Sequence, residues 1–427
     1  MSAVEPVTGR SISARIGRTE LDRLHSAHGA SFYVFDEGRL LENVASMYRE
    51  FRSIYPNIGI AHSFKTNYVP AVAKAMAKAG AVPEVVSSSE YDMVHRLGLP
   101  AARAIVNGPV KSVELLRRAL YDGAVVNMDG LEEVERVVAI AEQDPSRSLR
   151  VGLRCNFPLP GTDRSRFGID AENGDLDLAA ARLRHCANIV LEGLHCHLGG
   201  NRTATSYGYR MEKLIALADR IFPEGPPRWL DIGGGFAGPM TDELRAQFAK
   251  PPATYAEYAH ETATRMTARY GTSAAAPTLI VEPGMGLMSD TFEFVCRVEA
   301  TKRIADRSWA ITSGSIYNVK PTLNKFNLPV EVVRGVGTTP VPAEWTIGGF
   351  TCMEIDIMHS GLRTGLGVGD DLVFLNTGAY TVVMTPPFIE TAPAIITVHA
   401  DGRTSIARRA ERLEDLLRTY GPSEDPA

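Results

Sequence analysis

Ile58-Gly59-Ile60-Ala61-His62-Ser63-Phe64-Lys65-Thr66-Asn67-Tyr68 is an apolar run that ends in a lysine among small and polar residues. Its length suits a buried strand over residues 58–63, which puts Lys65 at the strand's C-terminal mouth. Partial desolvation there lowers a lysine's pKa and frees its amine for Schiff-base chemistry. Alone the feature is weak, since most lysines after a strand are simply solvated. Its weight comes from the residues further along the chain.

Beyond Tyr68 the chain alternates. Further short apolar runs occupy residues 82–86, 104–107, 124–127, 149–156, 189–197, 228–232 and 278–282. Most lead into a segment with apolar residues at helical spacing: 69–79, 90–97, 111–121, 131–142, 179–186 and 207–222. Strands separated by helices run parallel. Eight such units predict a closed (β/α)8 barrel over residues 36–288, with a doubly wound open sheet as the runner-up. From residue 289 to 427 the segments are short, β-rich and broken by Gly and Pro: 291–298, 309–312, 330–333, 346–352, 372–375 and 394–399. They predict a C-terminal all-β domain, a sandwich or small barrel, with one late helix at 413–420. Residues 1–35 hold a helix at 20–28 and a strand at 31–35, expected to pack with the β domain.

A chain of 427 residues with 44% hydrophobic and 22% charged residues is an ordinary globular composition. The net charge of -5 gives no basic footprint for nucleic acid or a membrane surface. No apolar run approaches the ~20 residues of a membrane span, and Met1-Ser2-Ala3-Val4-Glu5-Pro6 does not read as a signal peptide. The five cysteines, Cys155, Cys186, Cys196, Cys296 and Cys352, form no CxxC pair. This fits a reducing cytosol and argues against a zinc site.

In such a barrel, functional groups collect at the C-terminal strand ends. Lys65 ends the first strand. Glu84 lies in the second, before Ser87-Ser88-Ser89-Glu90. Arg154 is on the fifth, and His197 ends the sixth. The seventh runs into Asp231-Ile232-Gly233-Gly234-Gly235-Phe236, and the eighth into Glu282-Pro283-Gly284-Met285-Gly286. Consecutive glycines let backbone N–H groups converge on an anion, though a lone triple glycine is more often a flexible turn. His197 has a plain alternative as a core histidine, and Cys352 as an inert thiol. The order of these groups along one barrel mouth is what gives them joint meaning.

With Ser165-Arg166-Phe167-Gly168, His195-Cys196-His197-Leu198-Gly199, Thr351-Cys352 and Gly378-Ala379-Tyr380 added, the chain resembles the fold-type III pyridoxal-phosphate decarboxylases. This is the family of diaminopimelate, ornithine and arginine decarboxylases, and the likeness spans roughly residues 30–400. The resemblance implies an alanine-racemase-like barrel with a β domain, a head-to-tail homodimer, an amino-acid substrate and pyridoxal 5'-phosphate as cofactor. Lys65 would hold the cofactor through its amine, with Glu84 as the acid near it. His197 would stack on the ring. Gly233, Gly234, Gly235 and the Gly284 turn would bind the phosphate, helped by Tyr380. Glu282 would pair with the ring nitrogen and keep it protonated, so the ring acts as an electron sink. Cys352, reaching across the dimer, or Lys65 would return the proton. Racemases of this fold usually place arginine at that nitrogen, so Glu282 favours decarboxylation over the racemase or epimerase alternative. Retention of these residues speaks against a non-catalytic relative.

The departures concern substrate. Met285 stands where the family usually has arginine, which leaves a phosphate or substrate contact to another group, with Arg154 the candidate. Met353, followed by Glu354, replaces the acid usually found after the cysteine. Thr312-Ser313-Gly314-Ser315-Ile316-Tyr317-Asn318-Val319-Lys320 lacks the aspartate that meets the distal ammonium in ornithine-type enzymes. Tyr317, Lys320, Cys352, Met353 and Glu354 are the expected substrate contacts, and Lys320, His359 and Arg363 could meet a distal carboxylate. The expected substrate is a modified or carboxylate-bearing diamino acid of a siderophore or secondary-metabolite type rather than plain ornithine; a diaminopimelate decarboxylase-like activity is the alternative.

Overall fold

Short runs of apolar, often β-branched residues form parallel strands that close on themselves. In the computed structural model, which describes residues 12–420, the barrel strands are Ile58–Ser63, Val82–Val85, Ile105–Val106, Val125–Met128, Leu149–Asn156, Ile189–His195, Trp229–Gly234 and Thr278–Glu282. Each pairs in parallel with its neighbours. Closure comes from Leu279 opposite Ile58 and Val281 opposite Ile60. Strands buried on both faces need no alternation of polar and apolar residues, and Val125–Met128 and Trp229–Gly234 are buried throughout. Gly152 and Gly193 make room inside the barrel for Trp229, whose ring a Cβ at either position would overlap.

The helices between strands begin where capping chemistry says they should. Ser87 accepts from the Glu90 N–H at 3.2 Å and starts Ser88–Arg96. Ser112 starts Val113–Tyr121 in the same way. Thr254 and Glu257 form a reciprocal capping box on Tyr255–Tyr270.

The chain divides into two compact units. One is the barrel, from Leu40 to Pro239 and from Phe248 to Met288. Among the described residues, the other takes those up to Arg39, the excursion Met240–Gln247 and those from Ser289 onward. Among the described residues this second unit holds a nine-stranded sheet. Its centre is Ser31–Asp36, parallel to Ala394–Val398 and antiparallel to Phe292–Ile304. Phe32, Val34, Val295, Val373 and Ile396 pack with Leu21 and Leu24 of the helix Ile12–His28 into its core. The buried Asp371 receives Arg18 at 2.7 Å, His25 at 3.0 Å and Arg297 at 3.1 Å, so its charge is not left alone in the core.

Several expected elements change shape. The run at 346–352 is not a strand to its end: Val341–Gly348 stops at a glycine pair. Asp356 then takes the N–H groups of Thr351 at 3.0 Å and Ile316 at 2.6 Å, so the backbone turns away from the ladder. Thr404–Arg408 and Ile357–Leu366 are strands that the sequence reading did not mark. The late helix is only Leu413–Leu417.

Candidate active site

The C-terminal ends of the barrel strands converge on a polar mouth. Lys65 lies just past the first strand, in a turn closed by the Thr66 N–H on the Ser63 carbonyl at 3.0 Å. Its ammonium meets the Glu84 carboxylate of the second strand. Glu84 is fully buried and Lys65 is half-buried. His62, at the end of the first strand, is buried. Burial, with the Lys65 charge adding to it, depresses its pKa to about 4, which keeps it neutral.

Glu282, at the end of the eighth strand, is the second buried acid. Its Oε1 accepts from the Asn107 side-chain amide at 2.5 Å. Its Oε2 lies 3.3 Å from His197 Nδ1, and His195 Nε2 is 3.7 Å from Oε1. Burial opposes its charge, yet His195 and the Lys65 charge hold its carboxyl well below the usual range. Asp231 goes the other way, raised well above the usual range by burial and by Glu282's charge. Burial lowers the pKa of His195, against the opposing pull of Glu282.

The fit to a cationic ring nitrogen shows at Glu282 Oε2. His197 Nδ1 accepts from the Gly234 N–H at 3.1 Å. A nitrogen that accepts there cannot also donate to Glu282, so in this tautomer Oε2 faces a lone pair. A protonated ring nitrogen would give that oxygen its donor and leave His197 bound to the glycine. Lys65, Glu84, His197 and Glu282 therefore suit a pyridine ring with an aldehyde-derived arm.

The glycines play a different part from the one expected. The Gly233 N–H donates to Asp231 at 2.8 Å and the Gly234 N–H to His197, so two of the three amides are spent inside the protein. A Cβ at Gly233, which sits at φ +72°, would strike His197, and one at Gly234 would come within 3.2 Å of the His197 ring. A Cβ at Gly284 would strike Thr66 and Ser63. The glycines thus let three strand ends and the Lys65 turn approach one another.

Arg154 also departs from expectation. Its guanidinium binds Asp129 at 2.6 Å and the His197 carbonyl at 2.9 Å, which fixes the histidine's backbone. Arg202, not Arg154, brings a guanidinium to Met285, 3.4 Å from its sulfur.

In the other unit, Lys320 is buried and pairs with no acid among the described residues. Burial lowers its pKa. His359 is pushed down to about 4, first by burial and then by the Lys320 charge. Tyr317 sets its hydroxyl 3.5 Å from the Met353 sulfur. Cys352 and Glu354 are exposed, and Tyr380 is half-buried at φ 55°. Arg363 is not gathered with Lys320 and His359; it is 84% exposed and bound to Glu344 at 2.9 Å, because its strand position faces water.

Asn107 and Asn127 were missed, although each ends an apolar run with a polar residue, which is the mark of a barrel-mouth group. Glu90 was quoted but given no role. It accepts from the Val86 N–H at 2.7 Å, and burial raises its pKa to about 7.

A closed parallel barrel carries a lysine, two buried acids and a glycine-lined rim at its strand ends. The chain belongs to the pyridoxal-dependent decarboxylases: the family model of their pyridoxal binding domain matches residues 41–289, more than half its length. It is a pyridoxal-phosphate-dependent amino-acid decarboxylase of the diaminopimelate and arginine decarboxylase family. It is 28% identical over 423 residues to a diaminopimelate decarboxylase of Actinosynnema pretiosum subsp. auranticum, covering 94% of this chain and 91% of that protein. With the Pseudomonas aeruginosa diaminopimelate decarboxylase it shares 26% over 411 residues, covering 93% and 94%. The crystal structure of the M. jannaschii enzyme in complex with L-lysine has the same fold, at TM-score 0.82 and 19% identity over 94% of each chain. No helix among the described residues is long and apolar enough to cross a membrane.

Proposed function

We propose that this enzyme removes CO2 from an amino acid that carries a second carboxylate at its far end, a modified or conjugated diamino acid rather than plain ornithine. The observation that carries the reading is Lys320, a buried ammonium that pairs with no acid among the described residues and stands beside His359. A buried cation without a partner is costly, and a bound carboxylate would relieve it. Relatives named diaminopimelate decarboxylase support a diamino acid with two carboxylates. Met285 and Met353 support a substrate other than diaminopimelate.

Pyridoxal phosphate, when bound, would supply an electron sink for the charge left by CO2. Lys65 would hold it through its amine, with Glu84 placed to balance the ammonium. Glu282, held anionic, would keep a proton on the ring nitrogen. His197 would cover the ring face and Gly235 with the Gly284 turn would receive the phosphate. Lys65, or Cys352 from a second copy of the chain, would return a proton to the carbon. The exposure of Cys352, Met353 and Ile355 supports such a homodimer.

The test is product mass spectrometry in D2O with pyridoxal phosphate and a panel of ornithine, lysine, arginine, diaminopimelate and carboxyacylated diamino acids. Loss of CO2 with one deuterium gained is expected only from members with a distal carboxylate. Equal turnover of ornithine would sink the substrate reading. Deuterium gain with the carboxylate kept would reveal a racemase.

A further inference from the structure

Asn107 occupies a position from which a single side chain can touch both buried acids of the barrel mouth. It lies at the end of the third strand and is 4% exposed. Its amide nitrogen donates one hydrogen to Glu84 Oε1 at 3.0 Å and the other to Glu282 Oε1 at 2.5 Å. Its oxygen accepts from Asn127 of the fourth strand at 2.8 Å. That bond fixes which way the amide faces, since a flipped Asn107 would set an oxygen against two carboxyl groups. The other Glu84 oxygen meets Lys65, and the other Glu282 oxygen faces His197. A neutral amide donor stabilises both acids without adding a positive charge that would repel Lys65 or a protonated ring nitrogen. We propose that Asn107 is a positioning residue that ties the acid at Lys65 to the acid expected beneath the ring nitrogen, holding both in place across the mouth.

The groups that face this pair are Lys65 from the first strand's turn, Glu90 near the second strand, Arg154 on the fifth, His195 and His197 at the sixth and Asp231 on the seventh. Without Asn107 each acid loses a hydrogen-bond donor, and its carboxylate holds a proton more tightly. The proposal rests on the reading of this mouth as the cofactor site.

Melting temperature against pH, on cofactor-free wild type and Asn107→Leu, tests it directly. Expected is an acid limb moved upward by about one pH unit, because carboxylates robbed of a donor hold protons more tightly. A merely structural asparagine would lower the melting temperature equally at every pH, and that parallel shift would overturn the proposal. Should Asn107→Leu not fold, Asn107→Asp keeps the shape and must move the acid limb the same way. Titration with pyridoxal phosphate, followed by absorbance, is the second readout, with binding to Asn107→Leu expected about tenfold weaker. Equal affinity in both proteins counts against the tie. A wild type that fails to bind at all defeats the cofactor reading and leaves the acid-limb comparison standing.

Discussion

Lys65 and Lys320 are inward-placed cations in two units of one chain, and they are handled in opposite ways. Lys65 meets Glu84, which Asn107 holds from its other side. Lys320 has a neutralised histidine for a neighbour and no acid among the described residues. The difference teaches how to read a buried charge. A charge that the protein balances itself belongs to standing machinery; one left unbalanced is kept for something that arrives.

Replacing Lys65 breaks the comparison at its stronger end. Lys65→Ala should lower kcat by about four orders of magnitude and abolish the absorbance of covalently held cofactor, because no other group supplies the amine. Glu282→Gln should come next, with kcat down by about 10²- to 10³-fold, since a neutral amide no longer stabilises a protonated ring nitrogen. Steady-state kinetics with the protein shown to be folded check both.

Lys320→Met sharpens the contrast. For a substrate with a distal carboxylate KM should rise about tenfold or more, from the loss of a charge-assisted hydrogen bond, while a substrate without it is unaffected. The ligand-free variant should gain about 1–2 kcal/mol in urea unfolding, because a desolvated charge is gone. Loss of stability instead would mean that Lys320 is balanced after all.

Glu90 acts on stability rather than on turnover. Its folded pKa of about 7 lies above the usual 4.5, so the folded state holds the proton more tightly. The stability this brings is complete below pH 4.5 and fades as pH rises to about 7, by about 3 kcal/mol in all. Glu90→Gln should flatten the stability profile across that window. An unchanged slope would place the titration elsewhere.

The barrel was legible because parallel strands are buried on both faces and appear as apolar runs, such as Ile58-Gly59-Ile60-Ala61. Lys65, Glu84, His197 and Glu282 were legible for a related reason: each interrupts or ends such a run. Arg154 was misjudged because nothing in Leu153-Arg154-Cys155 reveals that Asp129 will claim the guanidinium. The boundary at 346–352 was misjudged because the turn is made by the Asp356 carboxylate rather than by a local breaker.

Sequence alone determined which residues are polar at strand ends, and so which groups line the mouth, since strand direction sends every C-terminal end to the same rim. Tertiary structure decided who touches whom there. Asn107 and Glu282 are 175 residues apart in the chain, and only closure of the barrel brings the amide nitrogen of one to 2.5 Å from a carboxylate oxygen of the other. Closure also decided that the Gly233 and Gly234 amides serve Asp231 and His197, because a glycine's use depends on what comes within reach of it.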